Sequence, residues 1–125
     1  MQETARGGGT SAAMSTNADR TLVKSTAELW ELVDDDEMMR RWCAFLTGSQ
    51  ELVPVMETGR AHGERLSWRS APGEPHAAIE LELAEKGFGT RVAITTTCER
   101  HVPGDMLESL LDELGSPQRR PFARA

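Results

Sequence analysis

Residues 79–95, IELELAEKGFGTRVAIT, alternate apolar and polar side chains, break at a phenylalanine held between two glycines, and then alternate again. A period of two sends successive side chains to opposite faces of a strand. Ala77, Ile79, Leu81 and Leu83 therefore share one face, and Glu80 and Glu82 take the other. After the break Val92, Ile94, Thr96 and Cys98 align, opposed by Arg91, Thr95 and Thr97. The segment EKGFGT between the runs supplies the glycines that a hairpin loop needs. It is not a dinucleotide-binding glycine loop, because that motif has a helix on its far side and here a strand follows. The outer carboxylates and Arg91 are expected to pair across the strands, each pair contributing about 0.2–1 kcal/mol. An antiparallel hairpin with one apolar face requires something to cover that face.

Three segments can supply the cover. Ser25 with Glu28 three residues later forms an S-x-x-E capping box, and Leu29, Leu32 and Val33 follow as an apolar stripe with Trp30 beside it. The acidic run Asp34, Asp35 and Asp36 ends that helix and caps a second one. There Met38, Met39, Trp42, Phe45 and Leu46 recur at helical spacing before Gly48 stops the run. Near the C-terminus Asp105 and Glu108 suggest another capping box. Leu107, Leu110, Leu111 and Leu114 make an i, i+3, i+4, i+7 stripe, with Gly115 and Pro117 as terminators.

Further strands are expected at residues 20–25, at residues 51–57, where Pro54 suits an edge or a bulge, and at residues 63–70, where Leu66 and Trp68 share a face. Residues 71–75, APGEP, read as a turn. Residues 1–18 are rich in Gly, Ser, Thr and Ala. With no bulky apolar residue but Met14 they bury too little surface to offset their ordering entropy, which predicts a disordered tail. Met14 is also an alternative start. Residues 19–115 are expected to form the domain, and residues 116–125 a basic tail carrying Arg119, Arg120 and Arg124.

The order of strand, two short helices, antiparallel strands and final helix resembles the helix-grip fold of the SRPBCC superfamily, which includes START lipid-transfer domains, the birch-pollen allergen family and polyketide cyclases. Three phrases carry the likeness: STAELWELVDDDEMMRRW, GERLSWR and IELELAEKGFGTRVAIT. The first is similar to the family's opening, in which a Trp-bearing helix passes through an acidic turn into a second helix ending in Trp. The last resembles paired strands ending in Gly-Thr-Arg-Val, common in the bacterial branch akin to heat-shock ATPase activator homologues. The resemblance implies an α+β chain with a curved antiparallel sheet, two short N-terminal helices and one C-terminal helix. It implies a shortened version, with fewer strands than usual and a short last helix. In the family that helix encloses a ligand cavity, so shortening it implies a smaller cavity or one filled by side chains.

The candidate lining residues are Trp42, Phe45, Leu66, Trp68, Ile79, Leu81, Val92, Ile94, Leu107, Leu110 and Leu111, for which packing into a solid core is the simpler expectation. Their chemistry points to a small hydrophobic ligand. The alternative is a co-chaperone-like or regulatory protein-interaction module of the heat-shock activator type, in which an acidic body contrasts with the basic tail. A polyketide cyclase-like enzyme is a third reading, and it needs polar groups in the cavity. No nucleophile stands beside a histidine and no carboxylate pair is placed by pattern for acid–base work, which argues against an enzyme.

Composition narrows the partners. The 125 residues suffice for one domain, and a net charge of −6 with a pI of about 5.1 disfavours nucleic acid, as do three Trp, three Phe and no Tyr. His62, His76 and His101 show no metal spacing, and the aspartate run lacks the alternating ligands of a calcium loop, so neither metal nor cofactor is expected. Cys43 and Cys98 read as small buried hydrophobes in a reducing compartment. No membrane span and no secretory signal is expected, the cytoplasm is the default, and a dimer is allowed.

Overall fold

The computed structural model describes residues 14–116. Five strands form a single antiparallel sheet: β1 (Met14–Leu22), β2 (Val55–Ala61), β3 (Arg65–Ser70), β4 (Ala77–Lys86) and β5 (Gly89–Cys98). Three helices complete the fold: α1 (Thr26–Val33), α2 (Asp36–Thr47) and α3 (Gly104–Gly115). The strand order is β1-β5-β4-β3-β2, so the hairpin with the strongest alternation lies in the middle and the two weakest strands form the edges.

The hairpin matches its pattern. Ile79, Leu81, Leu83, Val92, Ile94 and Cys98 are buried, whereas Glu82 and Arg91 are exposed and Glu80 is half-buried. Leu81 stands opposite Ile94 and Leu83 opposite Val92, so same-face apolar residues meet across the ladder. The helices cover that face. The Ser25 hydroxyl accepts the Glu28 N–H at the start of α1, and the Asp35 carboxylate accepts the Glu37 N–H at the start of α2. Leu107, Leu110, Leu111 and Leu114 of α3 are all buried in the same cluster as the sheet residues.

Several expectations need correction. Residues 14–18, assigned above to a disordered tail, lie in β1, and residues 23–25 lie outside it. The inward positions of β1 are Thr16, Ala18 and Arg20, half-buried, and Leu22, buried at the strand's end, so no run of apolar alternation marks the strand. It is held by pairing with β5 from Met14 opposite Cys98 to Leu22 opposite Thr90, and by Arg20, which ion-pairs with Glu108 and Asp112 of α3. Residues 1–13 and the basic tail from residue 117 lie outside the described residues.

The second strand begins at Val55 and not at Glu51, because Pro54 has no N–H for a ladder. Val53 instead sits buried with its N–H on the Arg40 carbonyl, and the Pro54 carbonyl accepts from Ala71. The register of this edge strand shifts between Glu57 and Gly59. Asp105 does not cap α3: Pro103 occupies that position without a side-chain bond, and Glu108 is taken by Arg20. Arg91 pairs with Asp19 across β1, while Arg65 faces Glu80 and Glu82.

Cys43 and Cys98 are buried and unpaired. Burial pushes the Cys43 thiol up to about 12, with nearby Cys98 adding a smaller push, and burial raises Cys98 also. Because the thiolate is the reacting form, a thiol reagent at pH 8 is expected to label neither cysteine in the folded protein and both after denaturation. Rapid labelling of the native protein would show this part of the core to be open.

Candidate functional site

The helices divide the sheet face between them. α3 packs chiefly on β1, whereas α2 lies over β2, β3 and β4. Between them lies a groove of about 210 Å³ lined by Arg41, Trp42 and Phe45 of α2 and Ser109, Leu110 and Glu113 of α3. Trp42, Phe45 and Leu110 are its apolar walls, with Arg41, Ser109 and Glu113 between them. A polar clip spans it: the Glu113 carboxylate accepts the Trp42 indole N–H at 3.2 Å and pairs with the Arg41 guanidinium at 3.0 Å.

Ten of the eleven candidate lining residues are buried in one contiguous cluster. Phe45 is the exception. It is 42% exposed on the outer wall of the groove, because its position on α2 turns it past the sheet and toward α3. The buried positions of the sheet face are thus filled by side chains, as a shortened last helix implies. The groove is smaller than the roughly 300–1,000 Å³ of usual ligand sites.

Polar groups beneath the helices are few. Among the described residues the buried polar side chains are Ser70, Thr90 and Thr96. The Ser70 hydroxyl accepts the Ala77 N–H, and the Thr90 hydroxyl donates to the Lys24 carbonyl. Thr96 makes only a long bond to the Thr16 carbonyl, at 3.5 Å. One further donor stands out. Trp68 is 7% exposed and its indole N–H is buried without any hydrogen-bond partner. An unpaired buried donor of this kind costs about 1–3 kcal/mol. Pattern reading places Trp68 inward but cannot reveal an orphaned N–H, which depends on what the fold brings near it.

A second cluster lies at the sheet edge. Arg60 donates to both Asp34 oxygens and to both Glu57 oxygens, and its guanidinium stands 5.6 Å over the Trp30 ring. His62 meets the same ring edge-on at 5.2 Å. The hydrogen bonds from Arg60 hold the carboxyls of Asp34 and Glu57 below their ordinary values of 3.8 and 4.5, against the opposing effect of burial, and they raise Arg60 itself. A carboxylate with a depressed folded pKa contributes stability above its ordinary value and loses it as pH falls through the folded value. Arg60→Ala is therefore expected to melt below wild type at pH 7, with the gap closing as the pH drops under 3.8. A gap independent of pH, measured by thermal melts across buffers, would mean that Arg60 acts only by packing on Trp30.

No group of three or more His, Cys, Asp or Glu among the described residues is placed to hold a metal ion, and none of their helices is long and apolar enough to cross a membrane. No protein-family model and no curated protein matches the chain. Solved structures do. DR_A0006 from Deinococcus radiodurans superposes with a TM-score of 0.62 at 18% identity, covering 82% of this chain and 94% of its own. CalU16 from Micromonospora echinospora gives 0.56 at 18% identity over 90% and 80% of the two chains. The Aha1 dimer from Colwellia psychrerythraea gives 0.56 at 17% identity over 82% and 96%. At these identities the likeness carries the architecture alone. A five-stranded curved antiparallel sheet gripped by three helices, with these neighbours, is a shortened helix-grip fold.

Proposed function

We propose that this protein binds a small hydrophobic molecule between the sheet and the α2–α3 pair, in a reducing, cytoplasmic setting. The observation that carries the reading is the groove between α2 and α3, walled by Trp42, Phe45 and Leu110. Because the interior is occupied by side chains, the ligand is small and seats by widening this gap. The Glu113 clip is the part that yields, since two hydrogen-bonded contacts to Arg41 and Trp42 span the opening. Calorimetric titration with 2-ethylnaphthalene is expected to give a saturable one-to-one isotherm in wild type. It should weaken in Phe45→Ser, a half-exposed position whose change leaves the core intact. A featureless wild-type titration would end the proposal.

A second reading, a protein-interaction module, rests on a different feature. Val23 and Phe88 are almost wholly exposed. They lie at one end of the sheet, where Gly89 meets the backbone of Leu22 and Val23. Two exposed bulky apolar side chains at the same end of the sheet favour this reading, and the Colwellia neighbour is a dimer. Sedimentation of wild type against the Val23→Ser/Phe88→Ser double variant tests it. Self-association that disappears in the variant supports this reading, and a monomer in both cases opposes self-association through this end. Cyclase-like chemistry is not proposed, since no carboxylate or histidine is buried beneath the helices among the described residues.

A further inference from the structure

The two edges of the sheet are built differently. β2 carries features that keep a strand edge from pairing with another chain. Pro54 precedes it, its register breaks between Glu57 and Gly59, and Arg60 is clamped to Asp34 and Glu57. β1 has neither proline nor bulge. Its nine residues, MSTNADRTL, pair with β5 in unbroken register from Met14 opposite Cys98 to Leu22 opposite Thr90. β5 is its one neighbour among the described strands. In an antiparallel ladder, alternate residues of an edge strand send their N–H and C=O away from that neighbour. Outside the ladder, no backbone group of residues 14–21 bonds to another backbone group among the described residues. Ser15, Asn17, Asp19 and Thr21 are exposed on the sheet face away from the helices. The charges of β1 are matched within the chain, Asp19 by Arg91 and Arg20 by Glu108 and Asp112.

We infer that β1 pairs antiparallel with β1 of a second copy about a two-fold axis, joining the two sheets into one. This is independent of the ligand reading, and it uses the strand edge, not the Val23 and Phe88 end. Symmetry and charge together fix the register. For outer residues to meet outer residues, the axis must stand perpendicular to the sheet and pass beside one residue of β1. An axis at Asp19 or at Arg20 would set that residue against its own charge in the second copy. An axis at Ala18, the middle of the strand, overlaps all nine residues and brings no like charges face to face. Asn17 then faces Asp19 of the second copy, Ser15 faces Thr21, and Thr16 faces Arg20. The Asn17 side chain makes no hydrogen bond among the described residues, and its amide donors suit a carboxylate across the axis. A single strand pair is a small interface, so the expected state is a monomer–dimer equilibrium and not a permanent dimer.

Sedimentation equilibrium of the full chain, beside Asn17→Asp and Asn17→Lys, tests the pairing. Wild type is expected to shift from monomer to dimer as its concentration rises. Each dimer holds the contact between Asn17 and Asp19 twice. Asn17→Asp sets carboxylate against carboxylate and should raise the dissociation constant about tenfold, whereas Asn17→Lys should lower it about tenfold. Asn17 is exposed and points outward, so neither change disturbs the core. The net charge of −6 is controlled by placing the same two charges at Thr58, exposed on the opposite edge strand. Thr58→Asp and Thr58→Lys should leave the constant within about twofold of wild type. A wild type that stays monomeric up to about 1 mM overturns the inference. So does a dimer that ignores both Asn17 substitutions, or one that responds as strongly to the Thr58 pair. Dissociation in the Val23→Ser/Phe88→Ser variant without any Asn17 response would assign the contact to the sheet end and overturn the edge pairing.

Discussion

Leu111→Ala is expected to lower the unfolding free energy by about 2–5 kcal/mol, the range for deleting a fully buried leucine and leaving a cavity. Leu111 is wholly buried at the centre of the α3 stripe and belongs to the same cluster as Val92 and Ile94. α3 has no side-chain cap at its start and only twelve residues, so its own hydrogen bonds do not keep it folded. Its place depends on the leucine stripe and on the ties of Arg20 and Lys24. A domain of this size is stable by only about 5–15 kcal/mol in total, so the variant should show a much lower denaturant midpoint. Ser109→Ala, on the exposed side of the same helix, should change stability by less than about 0.5 kcal/mol. Similar losses in both would mean that α3 does not bury its stripe.

Gly89→Ala should be nearly as damaging, for a different reason. A Cβ built at Gly89 lies 2.0 Å from the Leu22 carbonyl oxygen and 3.0 Å from its carbon, and both are backbone atoms that no rotamer change can move. The end of β1 crosses the start of β5 there, and the Thr90 hydroxyl fastens the crossing by donating to the Lys24 carbonyl. Overpacking against backbone is expected to cost about 3 kcal/mol, at the upper end of the usual range. It should also speed amide exchange in the last turns of β1. Gly87 gives the contrast. Its φ is +60° but nothing lies within 4 Å of the added carbon, so Gly87→Ala should cost only about 1 kcal/mol of conformational strain. If the two variants were equally stable, the close approach of β1 to β5 would be wrong.

How far the sequence foretold the fold depends on which side chains face the interior. β4, β5 and α3 were legible because each buries a repeating apolar face whose period names the element. α1 and α2 were legible from Ser25 and the aspartate run as well. The edge strands were not. β1 turns Thr16, Ala18 and Arg20 inward and buries only Leu22 fully, so most of its hold comes from ladder pairing and an ion pair that no local pattern announces. β2 ends in Thr58, Gly59, Arg60 and Ala61, a stretch with no apolar face and a bulge. The candidate site was legible as a set of apolar residues. The misplacement of Phe45, the clip made by Glu113 and the unpartnered Trp68 N–H all arise from contacts between elements far apart in the chain. Arg91 shows the same limit: its charge and facing were evident, but its choice of Asp19 over the neighbouring glutamates follows from the strand order.

The proposed role depends on a small apolar molecule entering under α2 and α3, and methyl-resolved NMR during titration with 2-acetylnaphthalene tests this most directly. The account predicts saturable shifts concentrated on Ile79, Ile94 and Leu110, with intermolecular contacts from the probe to these methyls. Shifts confined to Val23 at the exposed end of the sheet, or shifts that rise without saturating, would contradict it.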